Sequence, residues 1–266
     1  MTLSLDTPTL KRALDYPYDV PEAGFQLTFP ADPTLSVTEQ GDLTIHPCKA
    51  TAVGLDGNAV HFYDFTLEID GYETVWPNRA AFLASGSNAA PAQLKRKFTD
   101  RCSGALLTFP LWVQDHIPVF SAHFSHYGSI TATLLAYQGF HARLFVNLLD
   151  PQQVQIMHQT EGNYTVQSLP SGLTQNDNGE TSPEFWLHYY ESQSGPLSVA
   201  GRGPSLCGPF QVEPEGLQRH SEQDLLEKAR RTFCPEKDLE AFIALLLADP
   251  QARRDFERHL RREGLS

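Results

Sequence analysis

The sequence predicts an α+β protein with a β-rich front, a mixed middle and a helical tail. Three observations carry this. Between residues 25 and 69, apolar runs of strand length, the first alternating with polar residues at period two, are separated by turn-forming clusters. From 79 to 190, apolar runs of strand length are interrupted by two stretches of helical spacing, opened by Pro91 and Pro151. Beyond 221, apolar residues recur at helical spacing behind capping residues.

In chain order, Phe25 to Phe29 alternates apolar and polar, as a half-buried strand does. Further strands are expected at 35–37, 43–45, 50–55 and 60–69, divided by Ala31-Asp32-Pro33, Gln40-Gly41-Asp42 and Asp56-Gly57-Asn58. Asp56-Gly57 between two apolar runs is a hairpin signal. The run 79–84 reads as a buried strand that meets Ser85-Gly86-Ser87-Asn88. A helix over 91–98 follows, with Leu94 and Phe98 on one face. Strands are expected at 105–109, 119–124, 131–137 and 141–148. Asp150-Pro151 then opens a helix that ends at Glu161-Gly162. Strands at 164–169 and 184–190 flank a polar loop, and 192–209 reads as an irregular connector. Ser221 to Asp224 resembles a capping box, Pro235 opens a second helix, and Asp249-Pro250 breaks it. The third helix carries five arginines and reads as a solvated face, or one that docks on the protein's own acidic surface or on a second subunit.

The chain has 266 residues, 20 Lys and Arg, 32 Asp and Glu, and a net charge of −12. That balance argues against nucleic acid, whose phosphates call for a basic face, and against anionic membranes. No apolar stretch approaches the ~20 residues of a spanning helix, and no signal-peptide h-region opens the chain. The expectation is a soluble, cytoplasmic protein. Cys48, Cys102, Cys207 and Cys234 form no C-x-x-C pair and read as free thiols.

Phosphate-loop, dinucleotide and G-x-S-x-G motifs are missing. Five of the ten histidines fall between His116 and His158, but none stands with Cys or carboxylates at ligand spacing, so no metal site is expected. His123 and His126 are expected on a strand and the turn after it, pointing apart. A hydrolase built on Asp115, a histidine and Ser121 or Ser125 rests only on proximity in sequence.

The Ser85–Asn88 loop is more specific. A strand–loop–helix turn with glycine gathers backbone N–H groups where a carboxylate or a developing oxyanion can be held. Gly86 permits a positive φ or a close approach. Glu161 supplies a carboxylate, and Tyr164 stands near it in sequence.

These residues resemble a family. Phe82-Leu83-Ala84-Ser85-Gly86-Ser87-Asn88 resembles the FAYGSN segment of the γ-glutamylcyclotransferase-like proteins, and Met157 to Tyr164 resembles their LDxxEG…Y segment. Tyr127 to Thr133 looks like their GGIAT strand, and 141–149 holds the place of the strand before the helix. The resemblance covers 79–195. It departs at Ser85, where the family carries an aromatic residue.

The resemblance implies a small mixed β-barrel with flanking helices over 77–200, preceded by a β-rich segment (1–76) packed on it and followed by a helical extension (210–266). It implies cyclisation of a γ-glutamyl group to 5-oxoproline with release of an amine or amino acid, without cofactor. Glu161 would be the general acid/base, and Ser85, Gly86, Ser87, Asn88 and Tyr164 would bind a small-molecule γ-glutamyl substrate. The Ser85 departure and the added helices support an alternative, a non-catalytic small-molecule-binding or protein-interaction module on the same fold.

Overall fold

The computed structural model describes residues 5–32 and 34–265. The expected turn at Ala31-Asp32-Pro33 therefore falls partly outside the described residues.

The front opens with a helix that the strand-biased reading of this section missed, α1 (Thr7–Leu14), capped by Asp6, whose side chain accepts from Thr9 N–H. Strands β1 (Gly24–Phe29), β2 (Thr38–Leu43), β3 (Ile45–Leu55), β4 (His61–Ile69) and β5 (Tyr72–Ala84) follow. The β3–β4 hairpin turns at Asp56, whose Oδ1 accepts from the N–H groups of Asn58 and Val60 at 2.8 and 2.9 Å. Residues 35–37 are not a strand. Gln40-Gly41-Asp42 is not a turn but a bulge inside β2: Asp42 takes φ of +56° and the register against β1 shifts there.

Next come α2 (Pro91–Phe98), β6 (Gly104–Phe124), β7 (Ile130–Leu149), α3 (Pro151–Thr160), β8 (Tyr164–Pro170), β9 (Thr174–Gln175), β10 (Trp186–Ser192) and β11 (Val212–Glu213). β6 and β7 each fuse two expected strands. The break expected near residue 138 is a kink in a continuous hairpin, where Asp115 and Gly139 take positive φ and Asp115 Oδ1 accepts Gly139 N–H at 2.7 Å. The tail is α4 (Glu222–Phe233), α5 (Leu239–Ala248) and α6 (Pro250–Glu263). α5 starts at its Asp238 cap, three residues after Pro235.

The strands form a large, mainly antiparallel sheet in the order β2-β1-β6-β7-β5-β10-β8, in which β5 and β10 pair in parallel. β3 and β4 branch from β5, while β9 and β11 add to β6 and β7. The sheet is not closed, which corrects the expected small β-barrel. Closure needs the end strands to pair, but β2 pairs only with β1 and is exposed at every position except Leu43, and β8 pairs only with β10.

Three large apolar cores result, beside a small fourth cluster around Ile117, Val119 and Leu206. One lies within the sheet, around Phe65, Phe109 and Leu148. A second packs α2 and α3 on β1 and β5 through Leu94, Phe98, Val154 and Met157. The third packs α1, α4, α5 and α6 on the far end of the β6–β7 hairpin. That last junction is also polar. Phe124 and Ile130 face each other where β6 meets β7. The Phe124 N–H donates to Glu257 of α6 at 3.1 Å, and the Ile130 N–H donates to Glu222 of α4 at 2.6 Å. Each helix thus satisfies an N–H that the end of the ladder leaves free.

Candidate functional site

The end of β5 delivers Ser85–Asn88 to a cavity of about 560 Å³. Its walls come from that loop, α2, the end of α3, the turn between β6 and β7, α1 and α6. The loop's first internal backbone bonds are Ala89 N–H to Gly86 O, at 3.1 Å, and Ala90 N–H to Ser87 O, at 3.0 Å. Gly86 is extended (φ −157°), so a positive φ is not its role. Close approach is: a Cβ there would lie 2.6 Å from Tyr16 Oη and 2.8 Å from Ala132 Cβ.

Glu161 follows the last turn of α3, a helix that begins with an Asp150–Gln153 capping box and Pro151 at its start. Its carboxylate is 11% exposed. Oε1 accepts from Asn88 Nδ2 at 3.1 Å and pairs with the Lys97 ammonium. Among the described residues, Oε2 has no hydrogen-bond partner. The Asn88 Oδ1 is buried and unpartnered. A polar chain fixes this arrangement from the sheet outward. Thr108 Oγ1 donates to Asn147 Oδ1 at 2.7 Å, Asn147 Nδ2 donates to the Asn88 carbonyl at 3.0 Å, and Asn88 in turn holds Glu161.

All the residues expected in the site, Ser85, Gly86, Ser87, Asn88, Glu161 and Tyr164, line this one cavity. The Tyr164 hydroxyl, however, donates to Ala132 O at 3.0 Å and so braces β7 where it packs against Gly86 rather than orienting Glu161. Burial, and then the negative field of Glu161, push the Tyr164 hydroxyl well above the usual phenol range. The Ala132 N–H donates to Tyr16 Oη at 2.8 Å, so the two tyrosines grip one residue of β7 from both backbone sides.

The sequence reading missed Lys97 and Tyr16. Lys97 is on the buried face of α2, with Nζ also 3.3 Å from Met157 Sδ, and a lysine at that position reads from sequence as a surface residue. Tyr16 comes from the front of the chain, outside the segment that resembles the family, and places an aromatic hydroxyl against Gly86 although residue 85 is serine.

His123 and His126 line the same cavity, although the strand-and-turn reading separated them. His123 Nδ1 lies 2.9 Å from Glu257 Oε1, whereas His126 stacks edge-on with Tyr127. Burial pushes the Glu257 carboxyl up, but the His123 imidazole and the Phe124 N–H together hold it below the usual range. Among the described residues, no group of three or more His, Cys, Asp or Glu could hold a metal ion. The Asp115–His–Ser hydrolase is not assembled. Asp115 serves the Gly139 kink, Ser121 bonds Thr131 at 2.7 Å, and Ser125 accepts from the N–H groups of Tyr127 and Ser129. Nor is the arginine face of α6 only solvated: Arg253 and Arg254 line the cavity, while Arg258 pairs with Asp255 at 2.9 Å on the exposed side.

No family model matches this chain. No curated protein matches its sequence. Among solved structures, a gamma-glutamyl cyclotransferase is similar at 16% identity and a TM-score of 0.36, over 47% of this chain and 70% of that one. An uncharacterized protein from Homo sapiens is similar at 13% identity and the same TM-score of 0.36, over 70% of this chain and 88% of that one. No helix among the described residues is long and apolar enough to cross a membrane.

Proposed function

We propose that the cavity cyclises the γ-glutamyl group of a small molecule to 5-oxoproline and releases the attached amine or amino acid, with Glu161 as general acid/base. One observation carries this reading. Glu161 Oε1 is held by Asn88 and Lys97 while Oε2 has no partner among the described residues, so one oxygen anchors the carboxylate and the other is free for a proton.

In the reaction, Oε2 takes a proton from the substrate's α-amine. The amine nitrogen attacks the γ-carbonyl carbon and closes a five-membered ring. The bond from that carbon to the leaving nitrogen then breaks, and Glu161 returns the proton to that nitrogen. The attack is intramolecular, so holding the glutamyl chain curled supplies much of the rate. The unpartnered Asn88 Oδ1 can accept from the same amine, and the Gly86–Asn88 amides can hold the α-carboxylate or the oxyanion.

The test is to incubate the purified protein with γ-glutamyl amino acids, dipeptides and amines and to measure 5-oxoproline by mass spectrometry. The expected result is turnover of at least one compound and a loss of about 10²–10⁴-fold in rate for Glu161→Gln. No product from the panel, or full rate in the variant, would sink the proposal.

A second reading is a non-catalytic binding module. It is favoured by the Lys97 pairing, because a carboxylate buried against an ammonium also serves as a structural bridge between α2 and the end of α3. In that case Glu161→Gln lowers the melting temperature and leaves ligand affinity unchanged.

A further inference from the structure

The protein carries a net charge of −12, yet the cavity has the opposite sign. Six cations line it, Arg12, Arg96, Lys97, Arg101, Arg253 and Arg254, against two carboxylates, Glu161 and Glu257. Both carboxylates are already engaged, by Lys97 and by His123. Among the described residues none of the five arginines forms a close ion pair with a carboxylate, although the field of Arg253 helps to hold the Glu257 carboxyl down. Where they bond, the acceptors are neutral. Arg96 reaches Gln93 Oε1 at 2.8 Å, Arg101 reaches Gln159 Oε1 at 2.6 Å, Arg253 reaches Leu246 O at 3.2 Å and Arg254 reaches Gln251 Oε1 at 2.7 Å.

Two of the guanidinium groups are held flat without being neutralised. Arg12 lies 4.3 Å over the Tyr127 ring and Arg96 lies 4.4 Å over the Tyr18 ring. Arg12 Nε is buried and has no partner. Burial, and then the fields of Arg12 and Arg253, push the His126 imidazole down, so α1, α6 and the hairpin turn share one positive field. Such an excess of guanidinium groups, two of them stacked and none in a close ion pair, around one concavity matches oxyanions of more than one charge, which accept from several N–H forks together.

We infer that this cavity binds a small oxyanion carrying two or more negative charges, held between Arg12 of α1 and Arg253 and Arg254 of α6. The site needs only these cations, and so stands independently of the acid/base chemistry at Glu161. It also gives the helical extension a role: without α6 the cavity loses two of its cations and one wall.

The test is calorimetric titration of the full chain at low salt with inorganic pyrophosphate and with citrate, against sodium chloride at matched ionic strength. At least one probe is expected to bind one-to-one. Arg253→Gln and Arg12→Gln should each weaken it by about tenfold, and Arg202→Gln, on the exposed surface, should not. Pyrophosphate alone binding assigns a phosphoryl ligand, citrate alone a polycarboxylate, and both together a site that reads charge. Because Arg12 packs on buried Tyr127 and its variant can fail to fold, Arg254→Gln, at a solvent-accessible position that lines the cavity, provides the second variant. Glu161→Gln should retain binding whether or not it abolishes turnover, which separates failure of this inference from failure of the acyl-transfer proposal. No heat beyond the salt control, or an affinity that Arg253→Gln and Arg254→Gln both leave unchanged, would overturn it.

Discussion

Glu161 and Gly86 show what single residues decide in this protein. Glu161 stands at the end of a helix, where a polar residue before Gly162 is unremarkable; the resemblance singles it out, and in the structure Asn88 and Lys97 converge on one of its oxygens. Glycine at 86 is a matter of space. A methyl group there would enter the van der Waals envelope of both Tyr16 Oη and Ala132 Cβ. Gly86→Ala is therefore expected to destabilise the fold by about 1–3 kcal/mol, the usual cost of overpacking, read as a lower urea midpoint. An unchanged midpoint would mean that Tyr16 and β7 can move apart freely. The loop is legible in sequence because glycine, serine and asparagine between a strand and a helix form a local pattern; the role of Glu161 is legible only through the resemblance of 157–164 to a family segment. Lys97 and Tyr16 were not, because nothing local to either residue says that a cavity will lie beside it.

The helices of the tail dock on the β6–β7 hairpin through carboxylates of opposite behaviour. Glu257 is held below its ordinary range, so its contribution to stability is present above the ordinary value of 4.5 and is lost as pH falls. Glu222 is only 3% exposed, and its Oε2 is buried without a partner. Burial pushes its carboxyl well above 4.5, despite the Ile130 N–H that it accepts. The folded state therefore holds that proton more tightly than the unfolded chain. The stabilisation from Glu222 is full below 4.5 and is lost as pH rises through the folded value. Glu222→Gln keeps an acceptor for Ile130 without the charge. It is expected to stabilise at pH 7 by on the order of 1–3 kcal/mol and to have little effect near pH 4, measured by thermal unfolding at both pH values. Equal effects at the two pH values would show that Glu222 does not titrate in the fold. The capping box that starts α4 was visible as Ser221 and Asp224, and the structure has both of its bonds. That Glu222 between them faces inward could not be seen, since a first-turn glutamate ordinarily faces solvent and the helix field.

Across the whole molecule, the β6–β7 hairpin takes part in all three large apolar cores and in the small fourth cluster, and therefore joins front, middle and tail. The three tryptophans, Trp76, Trp112 and Trp186, all lie in strands, so their fluorescence reports on the sheet, while far-UV circular dichroism at 222 nm is weighted toward the helices. The two signals are expected to change at the same denaturant concentration. A separate earlier transition in the helical signal would show that α4 to α6 melt on their own. Sequence alone determined most of the element content, because strand alternation, capping boxes and prolines at helix starts are local: α2 and α3 begin at the prolines that announce them, and the Asp56 hairpin turns where its side chain can accept two N–H groups. It also determined the loop and the glutamate that the cavity brings together. What only the tertiary structure decided is that two pairs of expected strands are single long ones, that the sheet stays open, and that arginines from α1, α2 and α6 converge on one cavity in a protein of net charge −12. Register, closure and the sign of a cavity depend on residues far apart in the chain, and short-range spacing carries no record of which of them meet.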